Sequence, residues 1–260
     1  MGKLASLFFF AVPIVGVGFC YWALTNGYNF PVDISVTGHR IDHLFWFIAA
    51  LTGVVFIATE GVLAWFVWRY DGSRNPDAAK FAHGNHNLEV VWTIVPAATL
   101  VFIAIYQMNA WADAKMRPPD MDPTVEVTAR QFEWRLRYPG ADGKLGTRDD
   151  VHHVNDLHVP LDTEILVSLK SADVLHSFFL PNLRVKQDAV PGMKIPVWFR
   201  AMEPGTYDLV CAELCGWGHY KMKGRLTVES REDFEAWLAK KYQEQSATQD
   251  APAEEAKSEE

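Results

Sequence analysis

The segment VEVTARQFEWRLRY, residues 125–138, decides the fold of the second half of the chain. Apolar residues alternate with polar ones on either side of Gln131, and a period of two is typical of a strand that buries one face. Pro-Gly pairs at positions 139, 191 and 204 mark turns between further segments of this kind. The pattern predicts an antiparallel β domain, either a sandwich or a small barrel. The further predicted strands are DTEILVSLKS, KIPVWFRA, GTYDLVCA and GRLTVES.

The loop CAELCGWGHYKM, residues 211–222, follows one of these predicted strands and contains the pattern Cys-x3-Cys-x3-His-x2-Met. Thiolate and thioether sulfurs are soft ligands, and together with imidazole they favour copper over hard cations such as magnesium. Zinc is the second candidate, disfavoured because a thioether is a poor zinc ligand. The second cysteine favours two metal ions that share both sulfurs over a mononuclear site.

A disulfide between Cys211 and Cys215 is the alternative interpretation, since the domain is expected to face an oxidising compartment in which thiols pair. A disulfide, however, requires neither the histidine nor the methionine that follow at short intervals. The metal site is therefore preferred.

A binuclear site requires a further imidazole, and His176 is the best candidate. It is predicted to end a strand, in the segment DVLHSFFLP, without a charged residue immediately beside it. The rival candidates are His152, His153 and His158, expected in a solvated polar loop, and His83 and His86, expected on the cytoplasmic side.

Three apolar segments, residues 4–24, 44–68 and 90–111, contain only one charged residue, Glu60. Each has about the 20 residues that a helix needs to cross a bilayer. An acid at such depth usually faces protein and has a partner, so Glu60 is expected to pack on another subunit or on the first helix.

The charged loops predict the orientation in the membrane. Residues 69–87 contain Arg69, Arg74 and Lys80, whereas residues 25–43 contain Arg40 as their only Lys or Arg. By the positive-inside rule the loop at 69–87 is cytoplasmic, and everything after residue 111 lies outside. The first segment is either a retained helix or a signal peptide; its length favours retention.

These patterns divide the chain into five parts. Ser230 is expected to cap a short helix, and the chain after it becomes polar and acidic; residues 241–260 hold half of the net charge of −8. The sequence shows neither a basic patch nor a strong positive charge, so it does not indicate nucleic-acid binding. The predicted parts are an N-terminal transmembrane helix or signal peptide (1–25), a transmembrane helical hairpin (40–112), a β domain (122–229), a C-terminal helix (230–242) and a disordered acidic tail (243–260).

Four segments together resemble subunit II of the haem–copper cytochrome c oxidases, over about residues 42–228. They are DVLHS, KQDAVPG, PGTYDLVCAELCGWGHYKM and, in the third apolar segment, LEVVWTIVPA. The resemblance implies a membrane-anchored all-β protein, in which a transmembrane hairpin with an extra first helix precedes a cupredoxin-like Greek-key β-sandwich. It also implies a binuclear copper A centre on that sandwich.

The resemblance assigns the copper ligands by position. The side chain of Glu213 points toward a magnesium ion at the interface with subunit I. Cys211 and Cys215 bridge both copper ions. The remaining copper ligands are divided between the two ions. These are His219 with the backbone carbonyl of Glu213 on one ion, and His176 with Met222 on the other.

The family receives electrons from cytochrome c through a surface tryptophan, but this chain has Phe132 at that position and keeps only Trp134. Phe132 or a neighbour such as Trp217 is expected to take its place, and at least one of Phe132 and Trp134 is expected to belong to the strand core. Glu89 matches a carboxylate at the mouth of a proton path, although the helix dipole alone also favours an acid there.

The resemblance implies the electron-accepting subunit of an oxidase in the bacterial plasma (inner) membrane, with the copper domain on the periplasmic face. Electrons pass from cytochrome c to haem in subunit I, where the reduction of oxygen is coupled to proton translocation. Other oxidase subunits and membrane lipid are further expected partners. Subunit II of the quinol oxidases is excluded, because it resembles this fold but lacks the copper ligands. The alternatives are a nitric oxide reductase with the same copper domain and a membrane-tethered copper carrier or assembly factor.

The segment GADGKLGTRDD, residues 140–150, resembles a calcium loop only loosely, because its aspartates do not fit the EF-hand spacing. A glycine-rich hairpin insertion is predicted there.

Overall fold

The computed structural model describes residues 2–74, 81 and 83–250, which fall into two compact units. One unit comprises Met1–Phe30 and Asp42–Asn109, and the other comprises Pro31–Ile41 and Ala110–Glu260.

Three helices, α1 (Gly2–Thr25), α2 (Val36–Arg69) and α3 (His86–Lys115), account for most of the first unit. All three are long and apolar enough to cross a membrane. Most of their large apolar side chains are exposed, as helices surrounded by lipid require. The prediction of apolar helices before the β domain is confirmed.

Ser6 joins α1 to α2 through a hydrogen bond from its Oγ to the carbonyl oxygen of Ala64, at 2.9 Å. Both residues are buried. Glu60 lies one helical turn before Ala64, and its Oε2 is enclosed without a hydrogen-bond partner among the described residues. The sequence predicts a partner for this acid, but the described part of the chain supplies none for that oxygen.

Ten strands form the β-sandwich of the second unit. They are β1 (Val125–Arg130), β2 (Glu133–Tyr138), β3 (Val151–Val154), β4 (Asp156–Pro160), β5 (Glu164–Ser171), β6 (His176–Leu180), β7 (Val185–Ala189), β8 (Ile195–Arg200), β9 (Gly205–Cys211) and β10 (Lys223–Glu229). They make two five-stranded sheets, with the strand orders β3-β2-β1-β5-β8 and β4-β10-β9-β6-β7.

Two neighbouring pairs in these sheets are parallel, which corrects the prediction of an antiparallel domain. In one pair Val127 of β1 lies opposite Leu169 of β5, and in the other Leu157 of β4 lies opposite Leu226 of β10. Neither pair is consecutive in the chain, so the intervening strands return the chain to the same end of the sheet. Side-chain alternation does not distinguish the two directions of pairing.

Burial confirms the alternation most clearly in β2, where every second residue is buried; in β1 the apolar residues are buried, but so is Glu126. Val125, Val127 and Ala129 of β1 are fully buried, as are Trp134 and Leu136 of β2. Each large apolar side chain removed from water contributes about 1.5–3 kcal/mol. The packed core therefore fixes the positions of the strand ends.

A short segment before α2 also belongs to the sandwich unit. Ile34 is buried, its N–H donates to the Asn182 carbonyl at 2.9 Å, and its own carbonyl accepts from the Met202 N–H at 2.7 Å. The predicted domain, residues 122–229, omits this segment because one buried residue gives no periodic signal.

The loop between β2 and β3 is the predicted hairpin insertion. The two strands are antiparallel, with Arg137 opposite His152. Thr147 donates to the carboxylate of Asp149 at 2.6 Å inside the loop. A Cβ on Gly140 would lie 2.1 Å from the Asp149 carbonyl oxygen, so the turn accepts only glycine there.

The C-terminal helix, α4 (Arg231–Asp250), begins at the predicted cap, where Ser230 Oγ accepts from the Asp233 N–H at 3.0 Å. It does not end at residue 242, because good helix formers continue the sequence and Gln245 bonds to the sheet. The Gln245 side chain donates to the Asp150 carbonyl and accepts from the His152 N–H. The predicted disordered tail is thus wrong for residues 243–250, and residues 251–260 lie outside the described part of the chain.

His152, His153 and His158 lie in β3 and β4, not in the solvated loop that the sequence predicts. His158 is nearly buried, with Nδ1 2.8 Å from Glu229 Oε1. Its ring stacks on Trp237 of α4 at a centroid distance of 4.0 Å. These residues therefore belong to the contact between the sheet and α4.

Candidate metal centre

The loop between β9 and β10 carries most of the predicted ligands. Cys211 is the last residue of β9, and Met222 directly precedes β10. The Cys211 N–H donates to the Met222 carbonyl at 3.1 Å, so the two ends of the loop are bonded together. Cys211, Cys215 and Met222 are buried. The loop therefore points three sulfur atoms into the protein.

His176 comes to this loop from the neighbouring strand. It begins β6 and does not end a strand as predicted; β6 pairs with β9, where Phe178 lies opposite Cys211. The imidazole is fully buried, with Nδ1 3.9 Å from the Cys211 Sγ. Strand pairing thus brings together ligands that are far apart in the chain.

The six predicted donor groups lie close together. The two thiol sulfurs are 3.9 Å apart, and Cys211 Sγ is 3.2 Å from the carbonyl oxygen of Glu213. Cys215 Sγ lies 3.6 Å from His219 Nδ1 and 3.9 Å from Met222 Sδ. A disulfide bond would require about 2.05 Å between the sulfurs, and both cysteines are free.

The donor set fits copper. Ligand atoms of His176, Cys211 and Cys215 lie within 4.8 Å of one another, which is the one such metal-binding group in the described ranges. Two sulfurs bound to one ion at about 2.3 Å are separated by at most about 4.6 Å, so the observed spacing is compatible with joint binding. Two thiolates, imidazole and a thioether form a soft set, for which copper is the best match.

The pKa values of the two thiols are shifted in opposite directions. Burial disfavours the charged form of Cys211, but hydrogen bonds from His176 and from backbone groups outweigh it and lower the pKa of this thiol. Burial and the negative charge on Cys211 raise the pKa of Cys215. The first thiolate therefore forms on Cys211, and a bound cation favours the second.

Asp173 and Gln131 contact the centre, and the sequence did not predict a role for either. Asp173 Oδ1 accepts from His176 Nε2 at 2.8 Å, and its Oδ2 accepts from the Gln131 N–H at 2.8 Å. The Gln131 side-chain amide donates to the Cys215 carbonyl. The sequence feature that could have indicated Asp173 is its position three residues before His176. For Gln131 the sequence offers no indication beyond its place in a tight turn.

The three candidate aromatic residues for electron uptake occupy different environments. Trp134 is fully buried, with its ring 6.4 Å from the His176 ring, so it is a core residue. Trp217 is 81% exposed on the ligand loop. Phe132 is partly buried and meets Trp217 edge to face. Of the three candidates, Trp217 is therefore the exposed one.

Two glycines let the ligand loop pass against the turn between β1 and β2. A Cβ on Gly218 would lie 2.5 Å from the Phe132 ring. Gly216 has φ +134°, and its Cβ would lie 2.7 Å from Gln131 Nε2. Both positions therefore exclude larger residues.

Glu89 lies in the first turn of α3, in the helical unit, whereas the six donors belong to the sandwich unit. Asn85 caps this helix, with its side chain accepting from the backbone of Asn87 and Leu88. The structure therefore places Glu89 at a helix N-terminus, as the sequence predicts.

Comparison with known proteins identifies similarity over both parts of the chain. Residues 126–229 match the family model described as "Cytochrome C oxidase subunit II, periplasmic domain", and residues 23–110 match "Cytochrome C oxidase subunit II, transmembrane domain". Most of α1 precedes these matches.

The relatives include the alternative cytochrome c oxidase subunit 2 of Bradyrhizobium diazoefficiens, 33% identical over 76% of this chain and 77% of that protein. Cytochrome c oxidase subunit 2 of Cereibacter sphaeroides is 32% identical over 82% of this chain and 80% of the relative. A crystal structure of the periplasmic domain of subunit II of cytochrome oxidase from Bradyrhizobium japonicum is 29% identical, with a TM-score of 0.44, and covers 49% of this chain and 99% of that domain.

Proposed function

Since this chain belongs to the cytochrome c oxidase subunit II family, we propose that it accepts single electrons at a centre of two copper ions. The chain is a membrane-anchored subunit of an oxidoreductase complex, and its partners include other oxidase subunits. The electrons then pass to haem in subunit I, where oxygen is reduced and protons are translocated.

The observation that carries the proposal is the convergence of two buried cysteine sulfurs with imidazole and thioether groups in the ligand loop. Two bridging thiolates allow two copper ions to share one unpaired electron, which is the chemistry the metal supplies. We assign Cys211 and Cys215 as the bridges. His219 and the Glu213 carbonyl would hold one ion, and His176 and Met222 would hold the other.

The surrounding chain restrains these ligands. The loop is closed by the bond between Cys211 and Met222, and Asp173 holds the His176 ring. Ligands that are fixed by packing and hydrogen bonds rearrange little when an electron arrives. Fast electron transfer at a small driving force follows from that rigidity.

We assign cytochrome c as the electron donor and Trp217 as the residue that receives the electron. Trp217 is exposed, stands on the ligand loop next to Cys215, and contacts Phe132. Trp134 is excluded as a surface contact because it is fully buried.

Three further assignments concern the membrane and the partner subunit. Arg69 ends α2 and Arg74 lies in the segment that follows it, and both favour a cytoplasmic position for the connection between α2 and α3. The sandwich then stands on the periplasmic face of a bacterial inner membrane, and the apolar helices contact lipid. We further propose that the Glu213 side chain would help to hold a magnesium ion at the subunit I interface and that Glu89 would serve the mouth of a proton path.

The test is the copper content of the purified full-length chain together with its electron spin resonance spectrum. We expect two copper ions per chain and hyperfine splitting from two equivalent nuclei. One exchangeable ion, with splitting from a single nucleus, would contradict the binuclear assignment and support a copper carrier. Copurified subunits and their haem content would distinguish an oxidase from a nitric oxide reductase.

A further inference from the structure

We propose that Asp173 and Gln131 are positioning residues that hold His176 and Cys215 in register and thereby set the reduction potential of the centre. The inference rests on the proposed copper function. It concerns residues that belong to two other loops and do not bind the metal themselves.

The first contact fixes the His176 ring. Asp173 Oδ1 lies 2.8 Å from His176 Nε2 and also accepts from the Val174 N–H at 2.7 Å. A carboxylate bonded to Nε2–H leaves Nδ1 as the free lone pair, and Nδ1 is the nitrogen that faces Cys211. Asp173 therefore selects both the tautomer and the orientation of this ligand.

The second contact extends from Asp173 to the other half of the centre. The Gln131 N–H donates to Asp173 Oδ2 at 2.8 Å, and the Gln131 side-chain amide donates to the Cys215 carbonyl. A continuous series of hydrogen bonds thus runs from His176 through Asp173 and Gln131 to Cys215. It joins the β5–β6 loop, the β1–β2 turn and the ligand loop.

The direction of the effect follows from charge. A carboxylate that accepts the imidazole N–H makes the other ring nitrogen a stronger donor, and it adds negative charge near the centre. Both effects stabilise the oxidised state more than the reduced state. Removing Asp173 should therefore raise the reduction potential, and cutting the link at Gln131 should loosen the geometry around Cys215.

The experiment compares Asp173→Ala, Asp173→Asn, Gln131→Ala and the double variant Asp173→Ala/Gln131→Ala in the full-length chain. Asp208→Ala is the matched control, because Asp208 is an exposed carboxylate on β9, the strand that leads to Cys211. The readouts are copper affinity by chelator competition, the spin resonance hyperfine pattern and the reduction potential by spectroelectrochemistry.

We expect Asp173→Ala to weaken copper affinity about 10- to 100-fold, as loss of a partner behind a ligating histidine commonly does, and to raise the potential. Asp173→Asn keeps an acceptor oxygen without the charge, so its effect should be intermediate. Gln131→Ala should change the hyperfine pattern, because it removes the side-chain bond to the Cys215 carbonyl while leaving the bond from the N–H of residue 131 to Asp173. The double variant should change less than the sum of the two single variants, because both cut one series of bonds.

Each negative result has a distinct meaning. If the wild-type chain lacks the binuclear signature, the proposed function and this inference both fail. If the wild-type signature is present but Asp173→Ala and Gln131→Ala behave like Asp208→Ala in affinity, spectrum and potential, only the positioning role is overturned. Should Asp173→Ala fail to fold, Asp173→Asn and Gln131→Ala decide the question.

Discussion

The ring of Phe132 meets the indole of Trp217 edge to face, with the two centroids 5.3 Å apart. Phe132 comes from the turn between β1 and β2, and Trp217 from the ligand loop. The contact supports an exposed indole on the loop that carries the buried cysteine sulfurs. Position 132 thus serves the centre by packing, and the solvent-facing ring is contributed by a different segment.

Trp217→Ala should slow electron uptake from cytochrome c. An exposed aromatic side chain at the centre of a docking surface commonly contributes about 2 kcal/mol or more, equivalent to roughly a thirty-fold loss in the second-order rate. Stopped-flow mixing with reduced donor measures this rate. Tyr220→Ala removes another exposed ring from the same loop and should have little effect; equal losses would indicate that apolar surface alone matters.

Gly218→Ala should distort the ligand loop, because the new methyl group would lie 2.5 Å from the Phe132 ring. Overpacking of this kind costs about 1–3 kcal/mol, measurable by chemical unfolding of the full-length chain. Gly218→Ala/Phe132→Ala should recover much of the loss and the copper spectrum. Gly216→Ala should be rescued much less by Phe132→Ala, because removing the Phe132 ring at 3.2 Å would leave the positive φ and Gln131 Nε2 at 2.7 Å. Failure of the first rescue would show that another contact excludes the side chain.

Cys215→Ser should abolish the binuclear spectrum while the β-sandwich remains folded, because the sulfur is a bridging ligand and not half of a disulfide. Circular dichroism reports the fold and spin resonance reports the metal. Cys20→Ser is the control and should change neither. An unfolded Cys215→Ser protein would instead support a structural bond between Cys211 and Cys215.

The contribution of His153 to the stability of the sandwich should fall as the pH drops below about 6.5. Partial burial lowers the pKa of this imidazole, opposed by the nearby Asp156 carboxylate. The unfolded chain then binds more protons than the folded one, so the free energy of unfolding increases with pH in this window. His153→Gln should flatten the dependence measured by urea unfolding. An unchanged or steeper slope in the variant would contradict the assignment.

The sequence predicted the fold where its signals were periodic. Long apolar segments identified the three helices, and alternation identified strands such as β1 and β2. It did not predict the parallel pairs, because a strand shows the same alternation of apolar and polar residues whether its neighbouring strand is parallel or antiparallel. The burial of Ile34 was also missed, since an isolated apolar residue in a loop resembles any other.

The site was predictable where donors cluster in one loop. Cys211, Cys215, His219 and Met222 are close in the chain, so their spacing alone indicated soft-metal chemistry. His176 required a long-range pairing of β6 with β9 to be placed. Asp173 and Gln131 act through hydrogen bonds to the ligands, and side chains of that kind have no distinctive spacing.

The bond between the two ends of the ligand loop has a consequence for the maturation of the protein. Met222 is followed at once by β10, which pairs with both β4 and β9. His176 and both thiols are synthesised before β10, so a nascent chain contains these ligands before the strand that fixes the second end of the ligand loop has formed. We expect copper loading to wait for the completed polypeptide; a chain truncated before Lys223 should emerge unable to retain the metal, which elemental analysis of the purified fragment would check.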